Sequence, residues 1–182
     1  MLSLPEQLTT ERLCLRQIEE SDAEAIHNAI LASHKTLAPW VDWLTQNPSL
    51  EERIAFCKSA QRRFQTAEEL TLGLWVTSSG AYAGTLSVMD IKPDVPKGGI
   101  GYWGNTLTQG KGYISEALRE VCTHFLQALA FKRLWLTCDA SNSASQRVAE
   151  HSGFSREALL KNERRNNRGQ LADTLVYART QE

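Results

Sequence analysis

The sequence predicts a mixed α/β (α+β) fold in one domain, with helices flanking a central mixed sheet, and three observations predict it. Short apolar runs of period two alternate with amphipathic runs of helical period, in the order β-α-α-β-β-β-α-β-α-β-β. At 182 residues the chain suits a single domain, 1–182, with a full-sized core. Its 42% hydrophobic and 23% charged residues are ordinary globular values, and no repeat, low-complexity run or linker interrupts the pattern.

Each element has its own signal. Leu13 and Leu15 alternate with polar residues over positions 12–17, which predicts the first strand. Ser21 and Glu24 have capping-box spacing and open a helix to about Leu31. Trp40 and Trp43 follow in a Pro-containing segment. Ser49 and Glu52 repeat the capping spacing ahead of a second helix, whose Ile54, Cys57 and Phe64 make one apolar stripe. Leu70, Leu72, Leu74 and Val76 keep period two, Ser78, Ser79 and Gly80 supply a turn, and residues 82–91 return as a strand. Residues 92–99, with Pro93, Pro96, Gly98 and Gly99, read as a long loop before a short strand at 100–103. Residues 113–130 read as a helix with Ala117, Leu118, Val121, Cys122, Phe125 and Leu129 on one side. Residues 133–139 return as a strand, 143–152 form a helix ending at Gly153, and 154–159 and 174–180 are the last strands.

Composition removes several function classes. The net charge of -1 and pI near 6.4 give no global field for nucleic acid. The start of the chain has no basic segment followed by an apolar one, and no stretch approaches membrane-spanning length, so the cytoplasm is the expected compartment. Cys14, Cys57, Cys122 and Cys138 have neither zinc-ligand nor C-x-x-C spacing, and the four histidines are scattered, so no metal is expected. The cysteines read as small buried thiols.

Two segments carry chemistry. Gln109, Gly110, Lys111, Gly112, Tyr113 and Ile114 lie between a strand and a helix. The glycines permit a sharp turn and close approach, and the unpaired N–H groups and dipole of the helix start attract an anion. The spacing is neither a G-x-G-x-x-G fingerprint nor a Walker A loop. Alone it supports a phosphate or pyrophosphate site, or only a Gly-rich entry into a helix. Downstream, Asn142 or Ser143 can cap the next helix and Ser145 falls in its first turn. These residues either cap alone or line a cleft where neighbouring parallel strands splay.

In this order, about thirty residues apart, the two segments resemble the GCN5-related N-acetyltransferases (GNAT). Gln109 and Gly112 match the Q/R-x-x-G-x-G/A coenzyme A turn, and Asn142 to Gly153 and Phe154 match the helix that ends in G-F. Thr10, Glu11, Arg12, Leu13, Leu15, Arg16 and Asp22, the Trp40/Trp43 segment, residues 100–103 and Glu116, Ala117 and Leu118 resemble the RimJ/RimL branch, whose enzymes acetylate ribosomal-protein α-amines. The resemblance implies a mostly antiparallel twisted sheet splayed between two parallel strands, with acetyl-CoA as co-substrate bound by residues 109–114, Asn142 and Ser145. Two positions depart from the pattern. Ile114 takes the last G/A place, so its side chain must point away from the pyrophosphate. Ala149 stands where many members carry a Tyr acid, which leaves Ser145 to stabilise the departing thiolate.

The resemblance further implies direct attack of a neutral amine on the thioester, with a backbone N–H of residues 100–103 polarising the carbonyl. Glu163, in the loop before the last strand, is the candidate base, ahead of Asp42 and Asp90. Trp40, Trp43 and Tyr102 are candidate walls of the acceptor pocket, and Cys138 would end its strand beside the acyl site without acting as nucleophile. Three readings follow: a protein N-terminal acetyltransferase, an acetyltransferase of a small amine such as an amino sugar, polyamine or antibiotic, and a non-catalytic acyl-CoA-binding module. A homodimer is an expectation from resemblance alone.

Overall fold

The computed structural model describes residues 2–44, 48–92 and 94–181. Strands β1 (Gln7–Thr9) and β2 (Leu13–Gln17) form an antiparallel pair, and β1 has no counterpart in the sequence reading. Three residues are too few to show a period. Helix α1 (Ala23–Leu37) runs six residues past the expected Leu31, burying Ile26, Ile30 and Leu37 on one side. Its cap also differs. A 3-10 turn, Glu20–Asp22, leads into the helix, and Glu19 and Asp22, rather than Ser21 and Glu24, make the reciprocal capping box there, with Arg16 holding the Asp22 carboxylate at 2.6 and 2.8 Å. Helix α2 (Leu50–Gln65) starts at the expected Ser49 and Glu52 box.

Next come β3 (Leu70–Val76), β4 (Tyr82–Lys92) and β5 (Lys97–Gly104). The loop expected over 92–99 is much shorter: Lys92 still pairs with Lys97, and Pro93 lies outside the described residues. Helix α3 (Tyr113–Thr123) continues as a π-helical segment, His124–Ala128. Strand β6 (Arg133–Asp139), helix α4 (Ser143–His151), β7 (Ser155–Arg165) and β8 (Leu171–Thr180) complete the chain.

Among the described residues the strands form one eight-stranded sheet in the order β1-β2-β3-β4-β5-β6-β8-β7. Every neighbouring pair is antiparallel except β5 and β6. The period-two alternation divides the interior between the two faces. Leu70, Leu72, Leu74 and Val76 join Leu13, Leu15, Leu86 and Val88 under the α3 stripe of Ala117, Leu118, Val121 and Phe125. Trp75, Tyr82 and Trp103 lie with the second cluster, formed by α1 and α2 around Ile26, Ile30, Cys57 and Ala60.

The splay that makes the site is visible in the register. Strands β5 and β6 pair only at Lys97–Arg133, Gly98–Leu134 and Gly99–Trp135. Beyond Gly99, β5 stays bonded to β4 while β6 stays bonded to β8, so the two parallel strands diverge. A register shift between Leu74 and Trp75 accompanies this, with Ala83 as the extra residue on β4. Ala83 instead accepts from the Asn105 N–H at 2.8 Å. Gly84, at φ +149, admits no side chain there, since a Cβ would meet the Trp103 carbonyl oxygen at 2.2 Å. No helix among the described residues is long and apolar enough to cross a membrane.

Candidate active site

The divergence of β5 and β6 opens a cleft of about 570 Å³. Three parts of the chain line it. The turn into α3 contributes Gln109, Gly110, Gly112, Tyr113, Ile114 and Ser115, and α4 contributes Asn142, Ser145, Arg147 and His151. The end of α1 and the segment after it contribute Thr36, Leu37, Trp40 and Val41, with Tyr102 and Trp103 of β5 between the groups. Over Ile100 to Gly104, β5 has a strand partner on one edge only. In a pleated strand, alternate backbone N–H groups therefore face the gap.

The turn is built for an anion. Gly112 is the N-cap of α3 in the left-handed region, φ +76, and has no side chain to cap the first-turn N–H groups. These lack intrahelical partners and carry the positive end of the helix dipole. A Cβ at Gly112 would find only Arg12 Nη2 at 3.8 Å, so the cradle is open. Ile114 packs onto the sheet: its Cδ1 lies 3.2 Å from a Cβ built at Gly84, and its Cγ1 3.3 Å from one at Gly104. Lys111 is exposed and is not a lining residue; its carbonyl accepts from Arg12 Nη1 at 3.0 Å.

Arg12 and Glu116 hold this turn in place, a role that the sequence reading missed. The Arg12 guanidinium pairs with Glu116, donating from Nε at 2.7 Å, and stacks on Tyr113 at 4.9 Å. Thr10 Oγ1 donates to the same carboxylate at 2.6 Å, and the Arg12 N–H at 3.1 Å. Burial pushes the Glu116 carboxyl up, but the bonds from Thr10 and Arg12 outweigh it and hold the group below its ordinary value. The partners stand 104 and 106 positions apart, so no local spacing could have revealed them.

At the centre, Asn142 Oδ1 caps the Ser145 N–H at 3.0 Å, which fixes the first turn of α4. The Ser145 hydroxyl lies 2.9 Å from the Tyr102 hydroxyl, which also donates to the Ser145 carbonyl at 3.1 Å. Burial pushes the Tyr102 phenol well up, so it stays protonated. The Cys138 thiol is half-buried; burial raises it too, the Ser145 side chain only partly offsetting this. Cys138 is thus held as a thiol, a poor nucleophile near neutral pH.

The other candidates are placed differently. Trp40 and Tyr102 line the cleft, whereas Trp43 does not and stacks on Trp103 at 6.3 Å. Glu163 is in strand β7 rather than a loop; its Oε2 accepts from Thr174 Oγ1 at 2.9 Å, and it is not a lining residue. The loop expectation fails because β7 extends six residues beyond Leu159, past an irregularity between Leu160 and Arg164. Asp42 is exposed at 4.0 Å from Arg164, and Asp90 is exposed on β4; neither lines the cleft. Among the described residues no Asp or Glu lines it, and no group of three or more His, Cys, Asp or Glu could hold a metal.

Three comparisons bear on this site. The family described as acetyltransferase (GNAT) domain matches residues 12–155. A ribosomal-protein-serine acetyltransferase of Escherichia coli (strain K12) is 36% identical over 78 residues, 43% of this chain and 44% of that one. A solved structure of RimL, a ribosomal L7/L12 α-N-protein acetyltransferase in complex with coenzyme A, superposes with a TM-score of 0.89 at 28% identity, covering 96% of this chain and 98% of that one. The acetyltransferase that modifies the N-terminal serine of L7/L12 in Salmonella typhimurium superposes with a TM-score of 0.85 at 28% identity over 95% and 97% of the two chains.

Proposed function

The chain belongs to the GNAT acetyltransferase family and is an acetyl-CoA-dependent N-acetyltransferase; from that premise we propose that its acceptor is the α-amino group of a protein N-terminus. When bound, acetyl-CoA supplies the acetyl group and the thiol that leaves. Gly112 and the first-turn N–H groups of α3 hold the pyrophosphate, with Arg12 and Glu116 fixing the turn. Asn142 positions Ser145, whose hydroxyl stabilises the departing thiolate. The free edge of β5 offers a backbone N–H to the thioester oxygen.

The absence of a carboxylate from the described cleft lining carries the choice of acceptor. Of the two basic side chains that α4 adds to the lining, Arg147 is permanently charged, and His151, which can accept a proton, lies six positions beyond Ser145 or about 9 Å along the axis. A cleft with no dedicated base beside Ser145 favours an amine that is already partly neutral. An α-amine titrates near 8 and is roughly a tenth neutral at pH 7, whereas a lysine or alkyl diamine near 10.4 is neutral to less than about one part in a thousand. That difference favours α-amines by roughly two orders of magnitude before any binding contact is made. The names of the E. coli, RimL and Salmonella relatives support the same acceptor class.

Thiol release from acetyl-CoA, measured with peptides beginning in Ser, Ala or Met and with a panel of small amines, tests this reading. We expect kcat/KM for at least one peptide to exceed that for any diamine or amino sugar more than tenfold. Equal or faster turnover of a small amine, with no peptide activity, would overturn it.

A further inference from the structure

Resting on the assignment of Ser145 to the leaving thiolate, we propose that Tyr102 is a positioning residue that frees the Ser145 proton for that thiolate. The phenol has one proton and two acceptors in reach, the Ser145 carbonyl at 3.1 Å and the Ser145 hydroxyl oxygen at 2.9 Å. The single proton can go to either acceptor, which gives two arrangements. With the phenol bonded to the carbonyl, the Ser145 hydroxyl must donate to the Tyr102 oxygen, and its one proton points away from any leaving group. With the phenol bonded to the Ser145 oxygen, the Ser145 proton is released to a third partner.

Tyr102 and Ser145 both line the cleft, so the paired hydroxyls face the space that the coenzyme takes. A departing coenzyme thiolate is a stronger acceptor than a neutral thiol and draws the Ser145 proton toward itself. As that happens, the phenol turns its proton from the carbonyl to the Ser145 oxygen and stabilises the charge building there. No covalent bond to Tyr102 forms, and burial keeps the phenol protonated as a donor throughout the working pH range. Tyr102 is rigidly carried for this purpose. It sits on β5 opposite Leu86 of β4, where β5 has separated from β6.

The test is a double-mutant cycle on turnover. Tyr102→Phe keeps the ring and deletes the hydroxyl, so folding is preserved, which thermal melting checks. We expect kcat to fall about tenfold, with the KM for acetyl-CoA and the Kd of coenzyme A within twofold of wild type. In a Ser145→Ala background the same change should alter kcat by less than twofold, because the residue it acts through is gone. Rates are taken with whichever acceptor the wild type turns over, peptide or small amine, so failure of the proposed acceptor leaves this test intact. Unchanged kcat in Tyr102→Phe, an equal loss in both backgrounds, or a loss confined to KM would overturn the proposal. A wild-type chain that releases no thiol with any acceptor would overturn it together with the catalytic reading.

Discussion

Single residues decide whether the coenzyme can sit down. Gly112 combines a positive φ with an open approach, so Gly112→Val adds about 1–2 kcal/mol of backbone strain and fills the anion cradle. The expected outcome is coenzyme A binding weakened at least tenfold by calorimetry; equal affinity would remove the turn from the site. Glu116 acts through Arg12 and Thr10, and its pH dependence follows from the sign of its shift. Its carboxyl is held below the ordinary 4.5 in the folded chain, so the contribution is complete above that value and is lost as pH falls through the lower, folded value. Coenzyme binding should therefore hold down to about pH 4.5 and weaken only as pH falls further, through the lower folded value, and Glu116→Gln should remove most of that acid limb. Cys138→Ala should leave kcat within about twofold, because a thiol kept protonated by burial is not needed for direct transfer. A tenfold loss there would point to a covalent acyl-enzyme.

At the scale of elements, the signals readable from sequence are those with short-range causes. Strand β6 occupies residues 133–139 as the alternation of Leu134 and Leu136 predicts, and the Ser49 box caps α2 with both reciprocal bonds in place. Ser49→Ala should cost about 1 kcal/mol, read as a drop of roughly 2–4 °C in Tm. The start of α1 differs from the expectation because Ser21–Glu24 and Glu19–Asp22 have the same spacing, and the ion pair that holds Asp22 to Arg16 of β2 is not a local signal. Strands β4 and β5 extend into the supposed Pro/Gly loop because pairing resumes at Lys92 and Lys97 past an irregularity. The irregularity at Ala83 and Gly84 was also invisible, since nothing local marks Gly84 as lying against the Trp103 carbonyl. Gly84→Ala should destabilise the fold by about 2–4 kcal/mol in denaturant melts, more than an ordinary surface Gly→Ala change.

Over the whole molecule, the cleft exists because two parallel strands part after three paired positions and each keeps its antiparallel partner. The sheet's topology thus brings the Trp40 segment, the Gly112 turn and Ser145, spread along the chain from position 40 to position 145, onto one cavity. The donor half of that cavity was legible because an anion-binding turn and a helix cap are local. The acceptor half was not, because it depends on which side chains the end of α1 and the segment after it leave facing the gap. Glu163 shows the point: a carboxylate that looks available in sequence is bonded to Thr174 within the sheet. The pH dependence of kcat/KM should accordingly rise along a limb near 8 set by the peptide's own α-amine, and Glu163→Gln should not move it. The most direct measurement offers the enzyme acetyl-CoA and one peptide bearing both a free N-terminus and an internal lysine, and locates the new acetyl group by fragmentation mass spectrometry. The account predicts acetylation of the α-amine alone; acetylation on the lysine, or on neither while a small amine is consumed, would contradict it.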